Sequence, residues 1–566
     1  MTTRILGASM LAVGALLLCT LQLSANDAVN GQPIFHHATA FAAGRVPYSP
    51  PPQQFGIHLA NPVHLVPKPS HVPVPDPVEQ HTQATPSAEF SLNYHVLGVG
   101  NGFPGYSVGV APPDTELAVG DTEVVQWVNL EWAIFNKSNG AIIPGPQGNF
   151  TEGNYVWQHL MPGTMCANNN DGDPIIKFDR AAHRWIMAQN VFASPYAVCV
   201  AVSQTAHIED NLWFAYQFPV VNSGFPDYPK WGVWSTGGAS DGYYQGYNNF
   251  GPGGGGFQGG VFCGYDRAKM LAGNASAEQI CFQLSSNEDT PMPADRDSPV
   301  PPPSPEDEFF IGSLDDVDNS HLSLYSMHVN NWATGDATMT GLNNSQLFAV
   351  ATYTGACNGQ FGGACVPQEG IPDLLDTLGN TEMYRFSYWD DQPSANVTAT
   401  PPIPPPFQHW LLNWSVETTT GQVGIRWMEL LAAQHAVPVT SLSLFQQGTY
   451  AGSPSDSNYR WMGSIARDNV QDILVGYSES SSSMFPAIAV AGRVYSDAHG
   501  TLSPEIFAVN GTGSQPDTSN RWGDYSNMAI DPTDNCTFFY TTEYYMVTQR
   551  FDWSTDVSSW KFPNCH

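Results

Sequence analysis

From residue 90 onward, short runs rich in Val, Ile, Tyr, Phe, Trp and Thr alternate with Gly, Pro, Asn and Asp turns. No stretch carries the apolar period of a long amphipathic helix. Many short strands at even spacing predict a sandwich, a barrel or a propeller. Residues 90–566 are too many for one simple sandwich, so the pattern points to repetition.

The repeat is faint but readable. Tyr228-Pro-Lys-Trp-Gly-Val-Trp234 precedes Asp241-Gly-Tyr-Tyr-Gln-Gly-Tyr247, and Tyr459-Arg-Trp-Met-Gly-Ser464 precedes Asp472-Ile-Leu-Val-Gly-Tyr-Ser478. Asn520-Arg-Trp-Gly-Asp-Tyr525 precedes Cys536-Thr-Phe-Phe-Tyr-Thr-Thr542, with a looser copy at Glu382-Met-Tyr-Arg-Phe386 and Trp410-Leu-Leu-Asn-Trp414. Each reads as a basic residue, usually followed by Trp, then a strand, a polar turn and a second aromatic strand. Units counted this way fall near 95–145, 173–218, 226–285, 289–350, 376–434, 441–508 and 520–563. The fold class predicted is therefore all-β, a β-propeller of seven blades, with six or eight left open. The Pro-rich pieces 291–305 and 401–406 read as loops between strands, and Asp266–Ala272 as a turn or two of helix.

Ahead of this domain the texture differs. Met1-Thr-Thr-Arg4, the apolar run Ile5–Leu18 and Leu23-Ser24-Ala25 describe a signal peptide over 1–25, cleaved after Ala25. The run is also near the length of an uncleaved anchor. Cys19 follows three leucines where a lipoprotein signal wants a small residue. Residues 26–89 hold twelve prolines and six histidines without a periodic apolar pattern, which reads as a flexible, Pro/His-rich spacer.

Export gives the cysteines a meaning. Beyond the leader remain Cys166, Cys199, Cys263, Cys281, Cys357, Cys365, Cys536 and Cys565, an even set for an oxidising compartment. Proximity favours 166–199, 263–281, 357–365 and 536–565, although eight cysteines allow about 105 connectivities. No Cys-x-x-Cys pair exists, which argues against structural zinc and redox chemistry. A net charge of −32 disfavours nucleic acid as a partner and repels anionic membranes.

Pro112-Pro-Asp-Thr115 with Ala118-Val-Gly120, Asp171-Gly-Asp-Pro174, Phe225-Pro-Asp-Tyr-Pro-Lys-Trp-Gly232, Arg460-Trp-Met-Gly-Ser-Ile465 and Arg521-Trp-Gly-Asp-Tyr525 resemble a family of large secreted bacterial β-propeller proteins. The resemblance spans about residues 95–566. It implies architecture and secretion and brings no catalytic residues. The sialidase aspartate box is absent, so likeness to sialidases is one of architecture alone.

Four cations, Lys230, Arg385, Arg460 and Arg521, fall at or near the start of the first strand of four different units. Converging at a funnel, they would hold a carboxylate, sulfate or phosphate of a substrate. The competing reading makes each a repeated fastener over its neighbouring Trp. Asp227, Glu382 and Asp524 accompany them and can supply the two carboxylates of a glycosidase, or simply hold the cations in place. Asn168-Asn-Asn-Asp-Gly-Asp173 offers a calcium loop through Asp171 and Asp173, with Asp315-Asp316-Val-Asp318 as a weaker second. No phosphate loop is present, since Gly251-Pro-Gly-Gly-Gly-Gly256 lacks a following Lys and helix.

Three readings stay open: a secreted glycan-acting hydrolase, a non-catalytic propeller that binds a glycan or a cell-surface protein, and a structural envelope protein. None requires a cofactor, structural Ca²⁺ being the one metal suggested, and none needs a membrane after signal cleavage.

Overall fold

The computed structural model describes residues 31–49, 58–59, 66, 72–81, 89–100, 110–314, 319–341, 347–358, 363–379, 381–391, 407–433, 439–453 and 455–566. The leader over 1–25, the loop reading of 401–406 and the second calcium loop at 315–318 lie outside the described residues, as does much of the 26–89 segment.

The chain is all-β and antiparallel. Seven strands, among the described residues, each open a four-stranded meander: β1 (Thr115–Val119), β2 (Ile175–Asp179), β3 (Phe225–Trp234), β4 (Glu288–Arg296), β5 (Glu382–Asp390), β6 (Tyr459–Arg467) and β7 (Asn527–Ile530). Consecutive first strands are spatial neighbours from β1 to β7, and β7 packs back against β1. β4 and β5 pair directly and in parallel, Ala294–Arg296 against Phe386–Tyr388. These two first strands therefore begin at the same end of the assembly.

Burial on both faces explains why the sequence shows apolar runs rather than clean alternation. Glu123–Val128 and Thr537–Tyr545, the second strands of the first and last meanders, are buried at every position. Neighbouring sheets approach closely. A Cβ on Gly246 would lie 1.5 Å from the Pro291 carbonyl oxygen, so only glycine fits where the third and fourth sheets meet.

The structure corrects several expectations. Ser91–Leu97 does not start the first unit; it pairs with Trp553–Lys561 and completes the last sheet. Within the expected spacer, Ala40–Arg45 pairs with Leu212–Pro219, and Ile34–His37 with Glu278–Gln283. The small and apolar residues Ile34, Phe35 and Ala40–Ala43 suit outer strands that cover sheet edges. Pro291 and Pro293 lie within β4 rather than in a loop; a bulge between Asp289 and Met292 takes Pro291 out of the ladder, while Pro293 sits opposite Phe310. A short helix at Tyr155–Leu160 was not foreseen, whereas Arg267–Leu271 is helical as expected, Asp266 capping it by accepting from Lys269 N at 3.0 Å.

Four disulfides close the pairs that proximity favours: Cys166–Cys199, Cys263–Cys281, Cys357–Cys365 and Cys536–Cys565. No helix among the described residues is long and apolar enough to cross a membrane.

Candidate carboxylate site at the start of the first strands

Bulges recur in the first strands, between Asp227 and Lys230, Asp289 and Met292, Met383 and Ser387, and Trp461 and Ser464. A bulge breaks the ladder and re-aims side chains. In β3 it coincides with Tyr228 at φ 54°, while Asp114 and Asp173, just ahead of β1 and β2, both sit at φ 46°. Left-handed backbone is costly for a bulky residue such as tyrosine and marks sites whose surroundings over-determine it. Here three such residues meet.

Their polar groups form one network. Tyr228 N donates to Asp173 Oδ2 at 3.3 Å and to Asp227 Oδ1 at 3.0 Å. Tyr525 Oη donates to the same Asp173 oxygen at 3.3 Å, and Tyr228 Oη to the Asp524 carbonyl at 3.4 Å. Asp524 N donates to Asp114 Oδ1 at 2.7 Å. Asn129 ties the first two sheets together, donating to Asp114 Oδ2 at 2.9 Å and accepting from Asp173 N at 3.0 Å. Asp173, Asp227 and Asp524 are half-buried; Asp114 beneath them is buried.

Under this rim lies Lys230. Its Nζ sits between the rings of Tyr228 and Tyr525, 3.4 and 3.5 Å from their centroids, and the rings stack at 5.2 Å. The residue is 1% exposed and its ammonium has no hydrogen-bond partner among the described residues. Burial lowers its pKa to about 7 against the pull of Glu116, Asp524, Asp173 and Asp114. Glu116 accepts from Asn527 Nδ2 at 2.7 Å, and burial raises it to about 8. Asp114 is likewise raised to about 8, by burial first and then by the Asp524 charge. Asp173 is pushed well up by burial and by the charges of Asp227, Asp114 and Asp524. The site combines crowded, partly protonated carboxylates with a buried amine, the kind of environment that supports acid–base work.

Of the residues singled out in the sequence, the structure brings Asp227, Asp524 and Lys230 together here. Arg521 stands at the edge, donating to Asp376 at 2.8 Å and Asp524 at 2.5 Å. Glu382 is fully buried, accepts from Ser313 Oγ at 2.6 Å, and reaches the centre through its charge on Tyr228.

The arginine-lined funnel is not what these side chains build. Arg460 is fully buried, with Glu505 accepting from Nε and Nη2 at 2.8 and 2.7 Å, and Glu479 and Asp456 accepting at 3.0 Å each. Arg385 donates to Asp295 at 2.6 Å and to Asp297 at 2.5 Å. It lines a shallow cleft toward the far ends of the first strands, with Lys177, Arg180, Asp295, Arg296 and Asp297. Scarce cations in an acidic chain are drawn to buried carboxylates that would otherwise be unpaired. Asp171 and Asp173 bond different neighbours, Asp171 accepting from Phe192 N at 2.8 Å. Asp173 belongs to the carboxylate rim.

Asp114, Glu116, Tyr228 and Tyr525 were not anticipated as site residues. The signal for them is an aspartate flanked by Pro or Gly at the entry to a first strand: Pro113-Asp114, Asp173-Pro174, Pro226-Asp227 and Gly523-Asp524.

With this geometry in view, comparison with known proteins adds little. No protein-family model and no curated protein matches the chain. Among solved structures, a protein of unknown function from Dyadobacter fermentans aligns at a TM-score of 0.31 and 8% identity, over 83% of this chain and 99% of that one. The WD40 domain of SCAP from fission yeast aligns at 0.29 and 8%, over 79% and 95%. An α-L-arabinofuranosidase from Lactobacillus brevis aligns at 0.25 and 9%, over 68% and 89%. Likenesses at this level carry no argument.

Proposed function

We propose that the seven meanders are the blades of a secreted β-propeller of the bacterial family it resembles, and that it hydrolyses a glycan at the carboxylate-rimmed end. The observation that supports the chemistry is the shared donor of Asp173 and Asp227. Two carboxylate oxygens on one amide nitrogen are separated by no more than the sum of those two bonds. An inverting glycosidase needs its carboxyl groups about 6.5–9.5 Å apart, a retaining one about 5–5.5 Å. That upper bound on the nearest oxygens falls short of the inverting separation and is compatible with the retaining one.

In this reading Asp173, kept protonated by burial and like charges, donates its proton to the departing glycosidic oxygen. Asp227 supplies the carboxylate that meets the anomeric carbon. Burial, and then the charge of Asp227 ahead of those of Asp114 and Asp524, keeps Asp173 protonated. The excess of carboxylates at the mouth favours a neutral glycan over a uronate or sialate.

The purified mature protein should release reducing ends from neutral polysaccharides at about pH 4 to 7, the span over which raised carboxylates and histidines titrate. Specific binding without release would support the non-catalytic propeller instead.

A further inference from the structure

A second cluster lies away from the carboxylate rim, between the first two sheets. Glu123 opens the second strand of the first sheet, Glu123–Val128. His207 and Glu209 lie on the 3-10 turn between Ala197–Ser203 and Leu212–Pro219 of the second sheet. One ligand atom from each of the three side chains lies within 4.8 Å of the other two, the sole such group of His, Cys, Asp or Glu among the described residues. His207 Nδ1 is 3.0 Å from Glu123 Oε1 and 3.8 Å from Glu209 Oε1.

The decisive observation is electrostatic. Glu123 is 2% exposed, yet among the described residues neither its Oε2 nor the buried Oε2 of Glu209 finds a donor, and the two carboxyl groups face each other. Unsatisfied buried acceptors are costly, more so when they belong to charged groups. One imidazolium can neutralise at most one of the two carboxylates. The loop is also held in place from outside: Tyr48 Oη donates to the Glu209 carbonyl at 3.1 Å and Arg45 Nη1 to the Asp210 carbonyl at 2.6 Å.

We propose that Glu123, His207 and Glu209 bind a divalent transition metal of the zinc class. One imidazole nitrogen with two carboxylates is a mixed N/O donor set that suits zinc and disfavours calcium, which prefers oxygen throughout. His207 is about half exposed, which leaves a solvent-facing position for water. The ion would clamp the first sheet to the second and would settle both orphaned carboxylate oxygens.

The test is calorimetric titration of chelator-treated full-length protein with ZnCl₂, and with CoCl₂ followed by visible absorption. One equivalent should bind, with Co²⁺ bands that Zn²⁺ abolishes. His207→Ala and Glu209→Gln should each weaken binding by at least about tenfold, the smallest loss expected for a direct ligand. Glu123→Gln should do the same, but the two more exposed positions carry the test if that buried change impairs folding. Absence of saturable binding would overturn the proposal. So would binding that survives His207→Ala unchanged, since the Pro/His-rich segment would then hold the ion.

Discussion

Asp173 and Asp227 share a donor: the backbone amide of Tyr228 bonds both carboxylates, at 3.3 and 3.0 Å. The two residues come from different sheets and are joined only because the β3 bulge turns that amide out of its ladder. Lys230, two residues on, is carried by the same irregularity to the space between Tyr228 and Tyr525.

Glu116 should make stability depend on pH. Its folded pKa, about 8, lies above its ordinary value of 4.5, so the folded state holds a proton that the unfolded chain releases. The resulting stabilisation is fully present below about pH 4.5 and is lost as pH rises through about 8. Glu116→Gln keeps the shape and removes the titration. The variant should therefore gain stability relative to the parent between pH 5 and 8, measured as the shift in denaturant midpoint. A constant difference across that span would contradict the assignment.

Arg460 should be a fastener, not a ligand-reading residue. Its removal leaves the buried Glu479 and the nearby Glu505 and Asp456 without their shared cation. Breaking such a buried network costs about 3–5 kcal/mol. Arg460→Ala should lower the unfolding free energy by that amount while leaving the affinity of the surviving folded fraction for glycan unchanged. A loss of affinity without a loss of stability would restore the funnel.

The disulfide between Cys166 and Cys199 ties the short helix Met165–Asn168 to the strand Ala197–Ser203, closing 33 residues. Replacing both cysteines with alanine should cost about 2–5 kcal/mol. Peptide mapping without reduction should recover all four pairs named above, and a different partner for Cys263 would contradict the register that sets it opposite Cys281.

How much of this was legible beforehand follows from where each signal lives. Short aromatic strands and near-neighbour cysteines are local, and they announced the strands and the four disulfides. The Asp227–Lys230 bulge was half visible as two prolines, Pro226 and Pro229, bracketing the acid in a strand-like run. Outer strands such as Ala40–Arg45 cover an edge and bury little, so their pattern is weak. The roles of Asp114 and Asp173 were not readable because their partners, Asp524 and Tyr525, stand some 350 to 410 residues away along the chain. The arginines misled for a related reason: their repeat positions are real, but Glu505 and Asp295 claim them from outside each repeat motif.

The most direct measurement is the initial rate of reducing-end release from a neutral polysaccharide, for the parent protein and for Asp173→Asn and Asp227→Asn. Both exchanges preserve shape, and circular dichroism at each pH would confirm folding. The account predicts release that declines as pH rises and Asp173 loses its proton, with each variant slower by about 10²–10⁴-fold. Release that persists in both folded variants would contradict it and place the chemistry elsewhere in the molecule.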